Sequence, residues 1–163
     1  MKNKIFLGLG TNLGDRGMNL QEALVLLEKW EIFVVRTSRM YETQPIGIVD
    51  QPMFLNMVAE METEKSPQDL LSTLHVIERS LGRDRSREQF WGPRMIDVDL
   101  LFYGDVVVDK PDLIIPHPRL QERKFVLVPM AEIALDFLHP VLKKTVGELL
   151  KDCTNETVVN LWS

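Results

Sequence analysis

Two aspartates stand two residues apart in Met95-Ile96-Asp97-Val98-Asp99-Leu100, inside a run from Met95 to Tyr103 that predicts a β-strand. On a strand that spacing turns both carboxylates to one face, with α-carbons ~6.5–7 Å apart. Ile96, Val98 and Leu100 then turn to the core on the other side. Two carboxylates that close repel unless a cation lies between them. A hard divalent ion such as Mg²⁺ takes oxygen ligands and also binds phosphates. Taken alone, such a pair is more often an exposed acidic sheet face. The residues just upstream change that balance. From Arg79 to Arg94, five arginines (Arg79, Arg83, Arg85, Arg87, Arg94) against Asp84 and Glu88 give a local charge of +3. Guanidinium forks match phosphate oxygens and offset the negative charge of phosphoryl transfer. A cationic loop running straight into a two-carboxylate strand is the pairing that metal-assisted phosphoryl transfer requires.

Other residues fit a flat, polar substrate. Trp91 lies in the polar loop and serves either to pin that loop or to stack over a heterocycle. Phe54 and Asn56, on the non-core side of their strand, offer an aromatic and hydrogen-bonding floor. Asn12 places an amide in the turn after the first strand. Pro116-His117-Pro118 closes a strand and could set His117 at a phosphate, with Arg123 and Phe125 close behind. Several patterns point nowhere. Gly8-Leu9-Gly10-Thr11-Asn12-Leu13-Gly14 resembles a dinucleotide fingerprint, but its third glycine comes one residue late. Those glycines read as a tight strand-to-helix turn. No P-loop is present, and His75, His117 and His139 lack zinc-ligand spacing.

The elements that must position these residues follow from periodicity. Lys4 to Leu9 predicts a short buried strand. Leu20, Ala23, Leu24, Leu27 and Trp30 form a helical stripe, with Asp15 or Asn19 as N-cap. Ile32 to Glu42 predicts one strand. Alternation at Met53, Leu55, Met57, Ala59 and Met61 predicts another with a single core face. Ser66-Pro67-Gln68-Asp69 starts a helix whose stripe is Leu70, Leu74, Ile77 and Leu81, stopped at Gly82. Val106 to Val108 would pair back on the aspartate strand as a hairpin, and Leu113 to Ile115 adds a short strand. A helix is expected from Arg123 to Ile133 with Pro129 as kink or boundary. A short helix capped by Thr145 and Glu148, then a strand from Val158 to Leu161, complete the chain. The order β-α-β-β-α-β predicts an α+β fold. It is the ferredoxin-like, split βαβ arrangement: an antiparallel sheet with helices on one face and extra C-terminal elements. The other face would be open or covered by those extras.

Composition limits the alternatives. The chain has 163 residues, 45% hydrophobic and 26% charged, which fits one globular catalytic domain over residues 1–163. Nineteen basic against twenty-four acidic residues give −5, which argues against general nucleic-acid binding. An RNA-binding sheet is further disfavoured by the lack of an RNP1-like run. One cysteine, Cys153, excludes an intrachain disulfide, and no apolar run approaches the ~18 residues of a membrane span. A cytoplasmic monomer without membrane or nucleic-acid partners is expected.

Five blocks carry a resemblance to a known family. FWGPRMIDVDLLFYG (Phe90 to Gly104), GTNLGDR, YETQPIG, QPMFLNMV and IPHPRLQERKFVLVPM occur in that family's order and span nearly the whole chain. The chain resembles the 6-hydroxymethyl-7,8-dihydropterin pyrophosphokinases. The resemblance implies transfer of a diphosphate from ATP to the hydroxymethyl group of 6-hydroxymethyl-7,8-dihydropterin, releasing AMP, in folate biosynthesis. It implies that Asp97 and Asp99 hold two Mg²⁺ ions with ATP, and that Arg83 and Arg94 are catalytic alongside them. It implies nucleotide contacts at Glu78, Arg85, Arg87, His117 and Arg123. It assigns the pterin pocket to Asn12, Thr43, Pro45, Ile46, Phe54, Asn56, Trp91 and Phe125. The intact set of Asp97, Asp99, Arg83 and Arg94 weighs against a homologue kept only as a regulator.

Overall fold

A computed structural model of the chain describes residues 1–44, 52–82 and 96–163. Among these the order is β1 (Asn3–Thr11), α1 (Arg16–Lys29), β2 (Ile32–Thr37), β3 (Tyr41–Thr43), β4 (Phe54–Thr63) and α2 (Pro67–Ser80). There follow β5 (Asp97–Tyr103), β6 (Val108–Lys110), β7 (Leu113–Ile115), α3 (Lys124–Ala134), α4 (Val146–Asp152) and β8 (Val159–Leu161). The main sheet runs β5-β1-β4-β3-β8, with β2 also on β4, and every described pairing is antiparallel.

Both N-terminal helices begin on the caps that their sequences predict. Asp15 accepts from the Met18 N–H, and Ser66 from the Asp69 N–H with Pro67 in the first turn. α1 buries Leu20, Ala23 and Leu27, and α2 buries Leu70, Leu74 and Ile77, against Ile5, Leu7, Leu9, Leu55, Met57, Ala59 and Met61 of the sheet. Trp30 leaves the predicted stripe: it is the C-cap of α1 and is 41% exposed.

Of the two outcomes expected for the other face, open or covered, the structure shows it covered by the C-terminal elements. There α3 and α4 bring Leu127, Met130, Ile133, Val146 and Leu149 down onto Phe6, Val58, Leu101 and Phe102. Helices therefore cover both faces, and β4 is buried on both sides at Asn56, Val58 and Glu60 as well as at its odd positions. β1 runs on to Thr11, so Gly8 and Gly10 lie within the strand and not in a turn. The turn glycine is Gly14, at φ +65°. The single strand expected from Ile32 to Glu42 is two. Between them Ser38 exchanges bonds with β4: its N–H donates to the Val58 carbonyl at 2.8 Å, and its Oγ accepts from the Val58 N–H at 3.0 Å. The hairpin expected on β5 forms elsewhere. β6 pairs with β7, leaving Pro111 and Asp112 as its turn, while Val106 and Val107 stay exposed. Pro129 lies inside α3, so the Phe125 carbonyl loses the N–H that would close that turn. Thr145 and Glu148 form the expected capping box.

Candidate active site

The register of the sheet sets out the floor of the site. Asp97 faces Gly10 on β1, which faces Asn56 on β4, which faces Tyr41 on β3; in the next row Asp99 faces Gly8, which faces Val58. Directly paired residues on antiparallel strands point to one face, here the face of α3 and α4. The two glycines place no side chain beside the two carboxylates. β5 is steadied from its outer edge. Glu78 of α2, 1% exposed, accepts the Val98 N–H between the aspartates at 2.9 Å.

One wall comes from the segment that enters α3. Arg123 Nη1 lies 3.9 Å from Asp99 Oδ2, and its guanidinium carbon lies 5.7 Å from the centre of the Phe125 ring. His117 is held by its own backbone, whose N–H donates to the Leu101 carbonyl at 3.0 Å, and by the Arg119 N–H, which donates to its Nδ1 at 3.2 Å. Burial pushes the His117 pKa down to about 4, the nearby Arg123 and Arg119 charges add to this, and Asp97 opposes them. The ring is therefore neutral at pH 7. With Nδ1 accepting, Nε2 carries the proton and acts as a donor.

A polar corner adjoins this wall. Asn56 Nδ2 donates to Thr43 Oγ1 at 2.8 Å, and both residues are buried. Thr43 faces half-buried Phe54 in register, on the same face as Asn56. Asn12 is buried and donates from Nδ2 to the Pro52 carbonyl at 3.0 Å, tying the end of β1 to the chain entering β4. Arg16 makes a similar tie. It donates to the Met53 carbonyl at 2.9 Å and pairs with Glu42 at 2.6 Å. The hydroxyl of Tyr41 donates to Glu132 of α3, whose carboxylate also accepts the Arg39 N–H at 3.0 Å.

Asp97, Asp99, His117, Arg123 and Phe125 are thus gathered around one floor, with Asn12, Thr43, Phe54 and Asn56 at the neighbouring corner. Glu78 sits behind β5 on its backbone edge. Pro45, Ile46, Arg83, Arg85, Arg87, Trp91 and Arg94 lie outside the described residues. Sequence reasoning missed Gly8 and Gly10 as parts of the site. The available signal was their own spacing, since Gly-x-Gly repeats the Asp-x-Asp period on the facing strand. Among the described residues no group of three or more His, Cys, Asp or Glu forms a metal cage. Two carboxylates beside a bare floor still suit Mg²⁺, which commonly takes one or two carboxylates and fills its shell with water and phosphate oxygens.

A family model described as 7,8-dihydro-6-hydroxymethylpterin-pyrophosphokinase matches residues 6–135. The chain belongs to that family. Its members are pyrophosphokinases, enzymes of the transferase class. A 2-amino-4-hydroxy-6-hydroxymethyldihydropteridine pyrophosphokinase of Pseudomonas aeruginosa is 38% identical over 162 residues, covering 99% of this chain and 98% of the relative. The protein of the same description from Bacillus subtilis is 44% identical over 134 residues, covering 82% and 79%. A folic acid synthesis protein of Pneumocystis carinii is 42% identical over 154 residues; the match covers 94% of this chain and 20% of that longer protein. The fold is that of a crystal structure of Plasmodium falciparum HPPK-DHPS, with a TM-score of 0.76 at 19% identity over 93% of this chain and 45% of that one.

Proposed function

We propose that this chain transfers a diphosphate group from ATP to the hydroxymethyl oxygen of 6-hydroxymethyl-7,8-dihydropterin, releasing AMP, as a step of folate biosynthesis. The observation that carries the reading is the Asp97–Asp99 pair facing Gly10 and Gly8 of β1, with Arg123 3.9 Å from Asp99, in a chain of this family. The hydroxyl oxygen forms a bond to the β-phosphorus, the bond from that phosphorus to the bridging α–β oxygen breaks, and AMP departs with the electron pair. The hydroxyl proton passes to Asp97, Asp99 or water. Two Mg²⁺ ions held by these aspartates with ATP would supply charge neutralisation at the phosphates and a lowered hydroxyl pKa. Arg123 offers a fixed positive charge to the phosphates, and neutral His117 offers its Nε2 proton to a phosphate oxygen. Phe54 and Phe125 supply apolar faces for the ring, while Asn56, Thr43 and Asn12 address its polar edge. Arg83 and Arg94 take the charge of the transferring group in this reading. Arg85, Arg87 and Glu78 serve the nucleotide side, and Pro45, Ile46 and Trp91 complete the pterin pocket.

The β5-β1-β4-β2 order, with α1 and α2 together on one face, supports reading the core as the split βαβ, ferredoxin-like arrangement. We take residues 1–163 as one catalytic domain acting as a monomer in the cytoplasm. No described helix is long and apolar enough to cross a membrane. The test is a product assay with purified protein, ATP, Mg²⁺ and the reduced hydroxymethyl pterin, the nucleotides being separated by chromatography. AMP formed only when both pterin and Mg²⁺ are present is the expected result. ADP as product, or unchanged ATP with a folded protein, overturns the reading.

A further inference from the structure

We infer that Gly10 is a positioning residue: the side chain it lacks leaves the space in which the Asn56 amide is held for the heterocycle. The inference rests on the pterin reading above and adds to it a residue that touches no substrate. Gly10 is not required by its backbone. The described glycines with positive φ are Gly14, Gly82 and Gly104, so Gly10 has a conformation open to any residue. A glycine in a strand interior also forgoes packing, and such positions often mark the close approach of another group. Here that group is Asn56. A β-carbon built on Gly10 would lie 2.6 Å from Asn56 Oδ1, well inside van der Waals contact. Gly8 differs, because a β-carbon there would meet the Leu101 side chain at an ordinary 3.6 Å.

The amide is therefore held from two sides. Nδ2 donates to Thr43 Oγ1 at 2.8 Å, and Oδ1 lies in the space that a Gly10 β-carbon would take, in the row that continues to Asp97. With one of its two amide hydrogens engaged by Thr43, Asn56 keeps its Oδ1 acceptor and a second N–H, which suits a heterocycle edge bearing both donors and acceptors. An added methyl would clash with the end of one side chain and meet the Leu55 carbonyl at an ordinary 3.8 Å. Asn56 can swing aside, so the fold should survive while the recognition geometry is lost.

The experiment measures Gly10→Ala, Asn56→Ala and the double variant in the AMP-forming assay, with pterin and ATP varied separately and thermal unfolding followed in parallel. Gly10→Ala should raise the KM for pterin about tenfold, the scale of one well-placed hydrogen bond. Its KM for ATP should stay within about twofold and its melting temperature near that of the unaltered protein. In the Asn56→Ala background the same change should add nothing further, because its target is gone. An unchanged pterin KM, or an equal increase with Asn56 absent, overturns the inference and leaves the pterin reading standing. An unaltered protein that does not accept the pterin overturns both. Should Gly10→Ala fail to fold, Thr43→Val releases the same amide from its other side; an unchanged pterin KM there also overturns the inference.

Discussion

At Phe6, β1 presents an aromatic ring flanked in register by Phe102 and Glu60; at Gly8 and Gly10, the same face of the same strand presents nothing. The filled end is an aromatic cluster. Phe137 lies 4.9 Å from Phe6 and 4.8 Å from Phe102, and His139 lies 5.4 Å from Phe102, all edge-on. The bare end carries the two carboxylates and the Asn56 amide. Between them the β1–β5 register slips, so that Leu7 faces Leu100 while Phe6 faces Phe102. The extra residue, Leu101, turns into the same cluster as Phe102. One sheet face thus serves two purposes, with the bulge as the seam. Dense packing fills one end; at the other, the missing side chain of Gly10 leaves the space that the Asn56 amide takes beside the carboxylates. That division predicts that activity and stability can be damaged separately.

The largest expected effect is at the bare end. Asp97→Asn or Asp99→Asn keeps the volume and removes a charge, and should lower turnover by about a thousandfold or more, as loss of a principal electrostatic group does. The urea unfolding midpoint should hardly move. Near-normal turnover in either variant would break the assignment of the carboxylates. At the filled end, Phe102→Ala empties a site that is 1% exposed and should cost about 3–5 kcal/mol of stability. Turnover should persist at temperatures where the variant is folded. A variant of normal stability would show that the cluster does not anchor the sheet.

A smaller effect separates the two histidines. His139 at the filled end is held below 6.5 by burial, and its Nδ1 accepts the N–H groups of Val141 at 3.1 Å and Leu142 at 3.0 Å, which a proton there would displace. His117 at the bare end is pushed to about 4. Both native values lie below the unfolded value of 6.5, so the unfolded chain binds more protons once the pH falls below it. Stability should therefore be complete above that pH and decline as the pH falls toward 4. Urea midpoints between pH 7 and pH 4.5 check this. His139→Asn should flatten the decline while leaving the contribution of His117, and an unchanged slope would deny His139 its share.

Local signals were legible where local chemistry decides the outcome. Ser66-Pro67-Gln68-Asp69 specifies its own helix start, and Asp97-Val98-Asp99 specifies a shared face from the period of a strand alone. What escaped depends on distant partners. The burial of Val58 was not readable from its own strand, because the residues it packs with lie in α3 and α4, far along the chain. Gly8 and Gly10 looked like a turn because glycine is frequent there; their Gly-x-Gly spacing matches Asp-x-Asp, but the register that sets them opposite Asp97, Asp99 and Asn56 is not in their own segment. The expected hairpin on β5 failed similarly. Of Val106 to Val108 only Val108 enters a strand, and β7 supplied its partner. In the candidate site, residue types were readable and the register that assembles them was not.

The buried carboxylate of Glu78 on the Val98 N–H has a consequence for the protein in crowded surroundings. Edge strands with open backbone groups recruit strands from other molecules, and such recruitment leads to aggregation. On β5 an incoming strand would have to displace a nearly solvent-free side chain and would run alongside two aspartates. The contact that steadies the aspartate strand therefore also closes that edge of the sheet to growth.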